Sequence, residues 1–301
     1  MSSSRIALFV LLLVLPLLAG CGGGAKKSGS SLDSQYRQAM AEPDPAARVS
    51  QLLTVADKQN KAGDLLGMEQ SLNAAADAAL GMDDAQGKTL ALNRVAESLG
   101  KAGQAGEAKR LLREASKAAD QIAEDEIKVS ALSRMAFVYG KYLNGQDAAT
   151  GYLKNCEEIA AGIQRPEGKI AALLEVALTY HQLALADRAQ GLADQTLQAA
   201  RTLEDARKRA DAVAHAAATL SKMDQSDAAQ TVFREAEQLA GQIPDPMSRA
   251  YAFIHLSDQC RACGRRADAQ KALQQAEAAA DKVTDSSMRT PLLETIDRSR
   301  R

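Results

Sequence analysis

Residues 88–103 read KTLALNRVAESLGKAG, and residues 128–143 read KVSALSRMAFVYGKYL. Each stretch opens on a basic residue and places apolar residues 4, 7, 8 and 11 positions later. These are Leu92, Val95, Ala96 and Leu99 in the first, and Leu132, Met135, Ala136 and Tyr139 in the second. That spacing is one face of a 3.6-residue helix. The pattern returns along the chain. Arg48, Lys88, Lys128, Lys169, Arg209, Arg249 and Arg289 stand 40, 40, 41, 40, 40 and 40 residues apart. A fixed period of this length is the signature of a repeat array.

With the basic residue as position 0, the unit reads as two helices, A and B. Position 8 of helix A is Ala56, Ala96, Ala136, Ala177, Ala217 and Ser257, small enough for a neighbouring helix to approach closely. Position 15 holds Gly63, Gly103 and Gly264, and Gly accepts the positive φ that commonly ends a helix. Helix B follows, with Met68, Ala108, Ala148, Ala189, Ala229 and Ala269 at position 20. The extra residue of the third repeat is expected in the turn at Leu143–Asp147. Allowing for it, position 31 is always Ala (Ala79, Ala119, Ala160, Ala200, Ala240, Ala280), and position 34 is always apolar. Strand-like alternation does not appear after the N-terminal segment.

The basic residue itself has a structural explanation. Four residues before it stand Asp44, Asp84, Glu124, Asp205, Asp245 and Asp285. Asp suits an N-cap, and Pro45 and Pro246 then fall at the first helical position, where a missing N–H costs nothing. An acid four residues before a base also predicts an i,i+4 pair of about 0.2–0.5 kcal/mol. Arg165 interrupts the series before Lys169, with Glu167 as the nearest substitute acid.

Small and large apolar residues at 4, 7, 8, 11, 20, 24 and 27 resemble the tetratricopeptide repeat. In the second unit they are Leu92, Val95, Ala96, Leu99, Ala108, Leu112 and Ala115. The resemblance runs from Arg48 to about Val283. It departs from the family pattern in three ways: no Trp at position 4, Ala in place of Gly at position 8, and a 40-residue unit. It implies an all-α fold, a right-handed α-solenoid of six helical hairpins starting near 48, 88, 128, 169, 209 and 249, with a capping helix from 289. Leu32–Glu42 is expected to form an entry helix with Tyr36 and Ala39 facing the first repeat. At the far end Asp297 and Arg300 occupy positions 8 and 11, giving the polar outer face a terminal cap needs.

The N-terminus carries an address. Arg5 precedes a 14-residue apolar run, Ile6–Ala19, shorter than the ~20 residues of a spanning helix and interrupted by Pro16. Residues 1–20 read as a secretory signal. Leu18-Ala19-Gly20-Cys21 resembles a bacterial lipobox. That resemblance implies cleavage before Cys21 and a diacylglycerol thioether on it, usually with an added acyl chain such as palmitate. Two or more chains anchor stably. Gly22 rather than Asp at the next position favours, by the same resemblance, the outer membrane facing the periplasm. Residues 21–31 read as a flexible Gly/Ser tether reaching about 15–20 Å, and 32–301 as the repeat domain.

Removing residues 1–20 takes away one basic residue, Arg5, so the formal charge of −1 becomes −2. Basic residues form no block and Trp is absent, so nucleic acid is not an expected partner. No nucleophile–base pair, phosphate loop or spaced carboxylate motif stands out, and neither an enzyme nor a cofactor is expected.

In tetratricopeptide proteins helix A lines the concave groove in which partners lie. The resemblance therefore implies a protein or peptide partner, and an envelope scaffold or adaptor role. It places the candidate binding residues at positions 6 and 9: Arg94, Arg134, Glu175, His215 and His255, with Glu97 and Phe137. Arg94 and Arg134 suit a carboxylate, since Arg forms bidentate pairs. His215 and His255 fall on adjacent repeats and His181 sits elsewhere, short of the three converging ligands a metal needs.

One motif competes with this reading. Cys260 and Cys263 form a Cys-x-x-Cys, the spacing of thiol-redox and metal sites, and a redox or metal-binding lipoprotein is the alternative function; a passive spacer is another. Yet Cys260 and Cys263 hold positions 11 and 14, where other repeats place Leu99 and Ala102, and Cys156 holds position 27. Packing explains all three. The C-terminal end of a helix also disfavours a thiolate.

Overall fold

The computed structural model describes residues 26–300. Residues 1–20 and Cys21 lie outside them. After α1 (Lys26–Met40) come six hairpins: α2 (Pro45–Lys61) with α3 (Leu65–Leu80), α4 (Ala85–Lys101) with α5 (Ala105–Ala119), and α6 (Asp125–Tyr142) with α7 (Gln146–Gly162). The others are α8 (Pro166–Gln182) with α9 (Ala186–Arg201), α10 (Ala206–Lys222) with α11 (Ser226–Gly241), and α12 (Pro246–Ala262) with α13 (Arg266–Ala280). The cap, α14 (Ser286–Arg300), closes the stack. The fold is all-α, a tetratricopeptide-like stack. None of the described helices is long and apolar enough to cross a membrane.

Each A helix packs on its own B helix and on the A helix of the next repeat, and each B helix packs on the next A helix. A-on-A packing places α2, α4, α6, α8, α10 and α12 along one side, the inner face of the stack. The repeat positions carry the core. Leu92, Val95, Ala96, Leu99, Ala108, Leu112 and Ala115 are all fully buried. Alanine at position 8 (Ala96, Ala136, Ala177, Ala217) is closed off from solvent, and so are the six position-31 alanines. Burial at this density leaves little room for larger side chains.

Local chemistry sets the helix ends. Asp44, Asp84, Asp205 and Asp245 accept N–H bonds from Ala47, Gly87, Lys208 and Ser248. Glu124 and Arg165 occupy the same place without capping the helix through their side chains, and Pro166 opens α8 instead. Every A–B turn contains a residue with positive φ: Gly63, Gly103, Asn144, Ala184, Asp224 and Gly264. Glycine supplies three of them, Asn144 and Asp224 are the side chains that best tolerate that backbone, and the turn at Ala184 imposes it on one that rarely adopts it.

Three expectations are corrected. The extra residue of the third repeat lengthens α6 at its C-terminal end, so Ala149, fully buried, is the equivalent of Ala108 and Ala189, and Ala148 is only half-buried. Among the described residues the repeat-marking bases form no ion pair with the acid four residues earlier. Four of them reach back to the end of the preceding helix instead. Arg48 donates to the Glu42 carbonyl, Arg209 to that of Leu203 and Arg249 to that of Ile243, each at 2.7 Å. Lys169 reaches the Ala161 carbonyl at 3.0 Å. Carbonyls at a helix C-terminus are unpaired and carry partial negative charge, so a long cation does better there than against an N-cap carboxylate already engaged. Finally, α1 begins at Lys26, inside the stretch read as tether. Extending a helix from a packed nucleus costs little, and Ala39 is buried and Tyr36 half-buried against the core, as expected.

Candidate functional site

The A helices present positions 2, 6 and 9 along the inner face, and the stack pitch determines which of them meet. Position 6 of one repeat reaches position 2 of the repeat before. Arg94 donates to the Ser50 hydroxyl at 3.3 Å, Ser130 donates to Glu175 at 2.8 Å, and His255 lies 3.6 Å from Asp211. This ladder was not visible at sequence level, because it depends on how far each repeat is shifted against the next.

The central part of the face is a groove of about 760 Å³ across α4, α6 and α8. Leu90, Ile127, Phe137 and Leu178 supply its apolar lining, and Arg94, Glu126, Arg134 and Glu175 its charges, of which Glu126 is paired with Arg165 at 2.7 Å. Leu90 stands 58% exposed. Arg134 is tied to the buried Glu97, which Lys101 also meets at 2.7 Å. The hydrogen bond that Lys101 donates to Glu97 is the main reason it titrates above the ordinary lysine range. Arg134 also lies over the Phe137 ring, 5.5 Å from its centroid, and Phe137 meets Tyr142 edge-on at 5.8 Å. Glu97, Arg134 and Phe137 thus form one cluster, already satisfied.

Arg94 and Glu175 differ from it. Arg94 has one long bond to a hydroxyl. Glu175 is half-buried with a hydroxyl as its partner and, among the described residues, no cation; burial pushes its carboxyl above the usual carboxylate range, offset in part by Ser130. The expectation that Arg94 and Arg134 together face a carboxylate therefore changes. Arg134 has its own acid, and the uncompensated groups are one base and one acid. Asn93 closes the floor, donating to the Ala131 carbonyl at 3.0 Å.

His215 and His255 lie in the C-terminal part of the face. Burial pulls His215 down to about 4. His255 Nδ1 and Asp211 Oδ1 are both buried, face each other and stop short of a hydrogen bond. Burial also raises Asp211, against the opposing influence of His255 and Arg207. Among the described residues no three His, Cys, Asp or Glu side chains converge as metal ligands do.

The internal cysteines are free thiols. Cys156 and Cys260 are buried, and burial pushes each up to about 12. Cys263 is half-buried with its Sγ 3.6 Å from the Ala218 carbonyl. Cys156 and Cys260, so placed, are packing groups, since the reactive form is the thiolate.

No protein-family profile and no curated protein matches this chain. Solved structures of similar form include Ton1535 from Thermococcus onnurineus NA1, at 13% identity over 90% of this chain and 96% of that one, with a TM-score of 0.44. BtubC from P. vanneervenii is 17% identical over 83% of this chain and 91% of its own, with a TM-score of 0.37. A putative kinesin light chain from Podosopora anserina with nearly identical TPR-like repeats is 20% identical over 68% of this chain and all 100% of its own, with a TM-score of 0.35. Likeness at this level supports nothing about function. The description of the chain as a tetratricopeptide-like stack of helical hairpins rests on its own 40-residue spacing, helix pairing and burial.

Proposed function

We propose that this chain is a lipid-anchored scaffold of the bacterial cell envelope that holds a protein or peptide partner in the groove over α4, α6 and α8. The anchor is the lipid on Cys21, with the outer membrane, periplasmic side, as the favoured site. The reading of the groove is carried by its unfinished polarity. Glu175 and Arg94 sit on either side of the satisfied Glu97–Arg134–Phe137 cluster with hydroxyl partners only. A partner segment carrying a base for Glu175, an acid for Arg94 and an apolar side chain between them fits this pattern. Charged groups of this kind fix register and select partners more than they add affinity. The role assigned to the groove is recognition.

The test is co-purification from detergent-solubilised envelope with Glu175→Lys and Arg94→Glu beside the unchanged chain. Loss of the captured protein in both variants is expected. Undiminished capture by both contradicts the groove assignment. Mass spectrometry of the mature N-terminus tests the anchor separately, and an unmodified Cys21 refutes it.

A further inference from the structure

We propose that the α2–α3 turn is a membrane-contact edge, where Leu65 and Leu66 enter the lipid surface beside the N-terminal anchor. This rests on the lipid-anchor reading above. Five large apolar side chains stand exposed among the described residues, and only Leu65 (62%) and Leu66 (80%) are adjacent. Both lie in the first turn of α3, after Asp64, whose carboxylate caps Gly67. Later repeats place small or polar residues there: Ala105–Gly106, Ala186–Asp187, Ser226–Asp227. The leucine pair belongs to the first repeat alone, and helix packing does not require it.

The position of the turn identifies the occupant. Lys58 near the end of α2 bonds Gln35 of α1 at 2.6 Å, and Arg48 near its start bonds the Glu42 carbonyl at 2.7 Å. α1 therefore runs antiparallel to α2, and its N-terminal end lies on the side of the α2–α3 turn. From Gln35 back to Lys26 the helix rises about 13 Å. From Lys26 to Cys21 an extended chain spans at most about 18 Å. The lipid chains are thus held within about 31 Å of Gln35, on the side of the repeat that carries the α2–α3 turn. The other exposed apolar residues are placed differently. Met40 ends α1 at the opposite end of a groove between α1 and α3 that Leu66 also lines, Leu90 lines the inner groove, and Met288 lies on α14 at the other end of the stack.

Lys58 and Lys61 lie in the last turn of α2; Asp57 pairs with Lys61 at 2.6 Å, Asp64 caps Gly67, and the exposed Glu69 stands one turn along α3, so the leucines carry the contact and charge adds little. Two leucines and two lysines bind a bilayer weakly by themselves. Anchoring makes the contact intramolecular, and a weak contact then suffices. The contact fixes which way the stack stands on the membrane.

The chain has no Trp, so Leu66→Trp provides a single emitter at the edge and Leu90→Trp one in the groove. The chain from Cys21, with an N-terminal hexahistidine in place of lipid, is held on phosphatidylcholine–phosphatidylglycerol vesicles containing a nickel-chelating lipid. Emission of the Leu66→Trp chain is expected to shift to the blue and to be mostly lost to brominated acyl chains, while that of the Leu90→Trp chain does neither. An unquenched indole at position 66 on the held chain, or equal quenching in both variants, overturns the proposal. Because this tether replaces the lipid, the outcome does not depend on whether Cys21 is modified, which mass spectrometry settles independently.

Discussion

Repeats two to four and repeats five and six use the same helical hairpin, yet only the first group forms an open, charged groove. In α4 and α6 position 6 is arginine, which projects from the face while its repeat neighbours stay buried. In α10 and α12 it is histidine, half-buried, and α10 packs Ala212, Ala214, Ala216, Ala217 and Ala218 around it. One half turns its polar groups toward solvent; the other turns them inward, where Asp211 and His255 face each other incompletely paired. A solenoid can thus change what its inner face does without changing its core, because the face and the core use different positions of the same helix.

The comparison requires a shared core, and large substitutions test that first. Leu99 and Leu220 occupy position 11 in the two halves, both buried. Truncating either to Ala should cost about 2–5 kcal/mol, measured by urea unfolding with local probes in each half. A large cost at one and none at the other breaks the equivalence of the repeats.

A smaller effect separates the halves by pH. His215 titrates near 4 in the folded chain and near 6.5 when unfolded. Between those values the unfolded chain binds more protons, so the folded state loses stability as pH falls through that window. Glu175 is raised by burial, so its contribution has the opposite sign: it is fully present below the unfolded carboxyl value and is lost as pH rises through the folded one. His215→Gln should flatten the acid limb of the stability profile, and Glu175→Gln should stabilise the chain at neutral pH. Thermal unfolding across pH reads both.

The turns offer a third contrast. Gly103 and Ala184 share a positive φ, 78° and 60°. Gly103→Ala should destabilise by about 1–2 kcal/mol and Ala184→Gly should gain up to a similar amount, less the flexibility glycine adds when unfolded. Smallest is Arg134→Ala. It removes a half-exposed partner from Glu97, which keeps Lys101, and should cost under about 1 kcal/mol.

The architecture was legible because the period repeats six times, so that position 8, position 31 and the turn glycines reinforce one another. What was not legible has physical causes. Ala184 takes positive φ against its intrinsic preference, and its residue type gives no sign of it, unlike Asn144 and Asp224, which tolerate that backbone. The arginine clamps on Leu203 and Ile243 replace the expected ion pairs because the carboxylates four residues earlier are already capping helices. At the groove, the sequence marked Arg94, Arg134 and Glu175 by position alone. Which of them is satisfied depended on Glu97 and Ser130 from neighbouring repeats, and that needs the pitch of the stack.

Site-specific photocrosslinking in intact cells tests the central claim most directly. A photoreactive residue replaces Leu90 on α4 or Leu178 on α8, and, as controls on outer helices, the exposed Arg113 on α5 or Gln198 on α9. The groove account predicts one common crosslinked protein from positions 90 and 178 and none of it from 113 or 198. Crosslinks to that protein from the outer helices, with none from the groove, would contradict it.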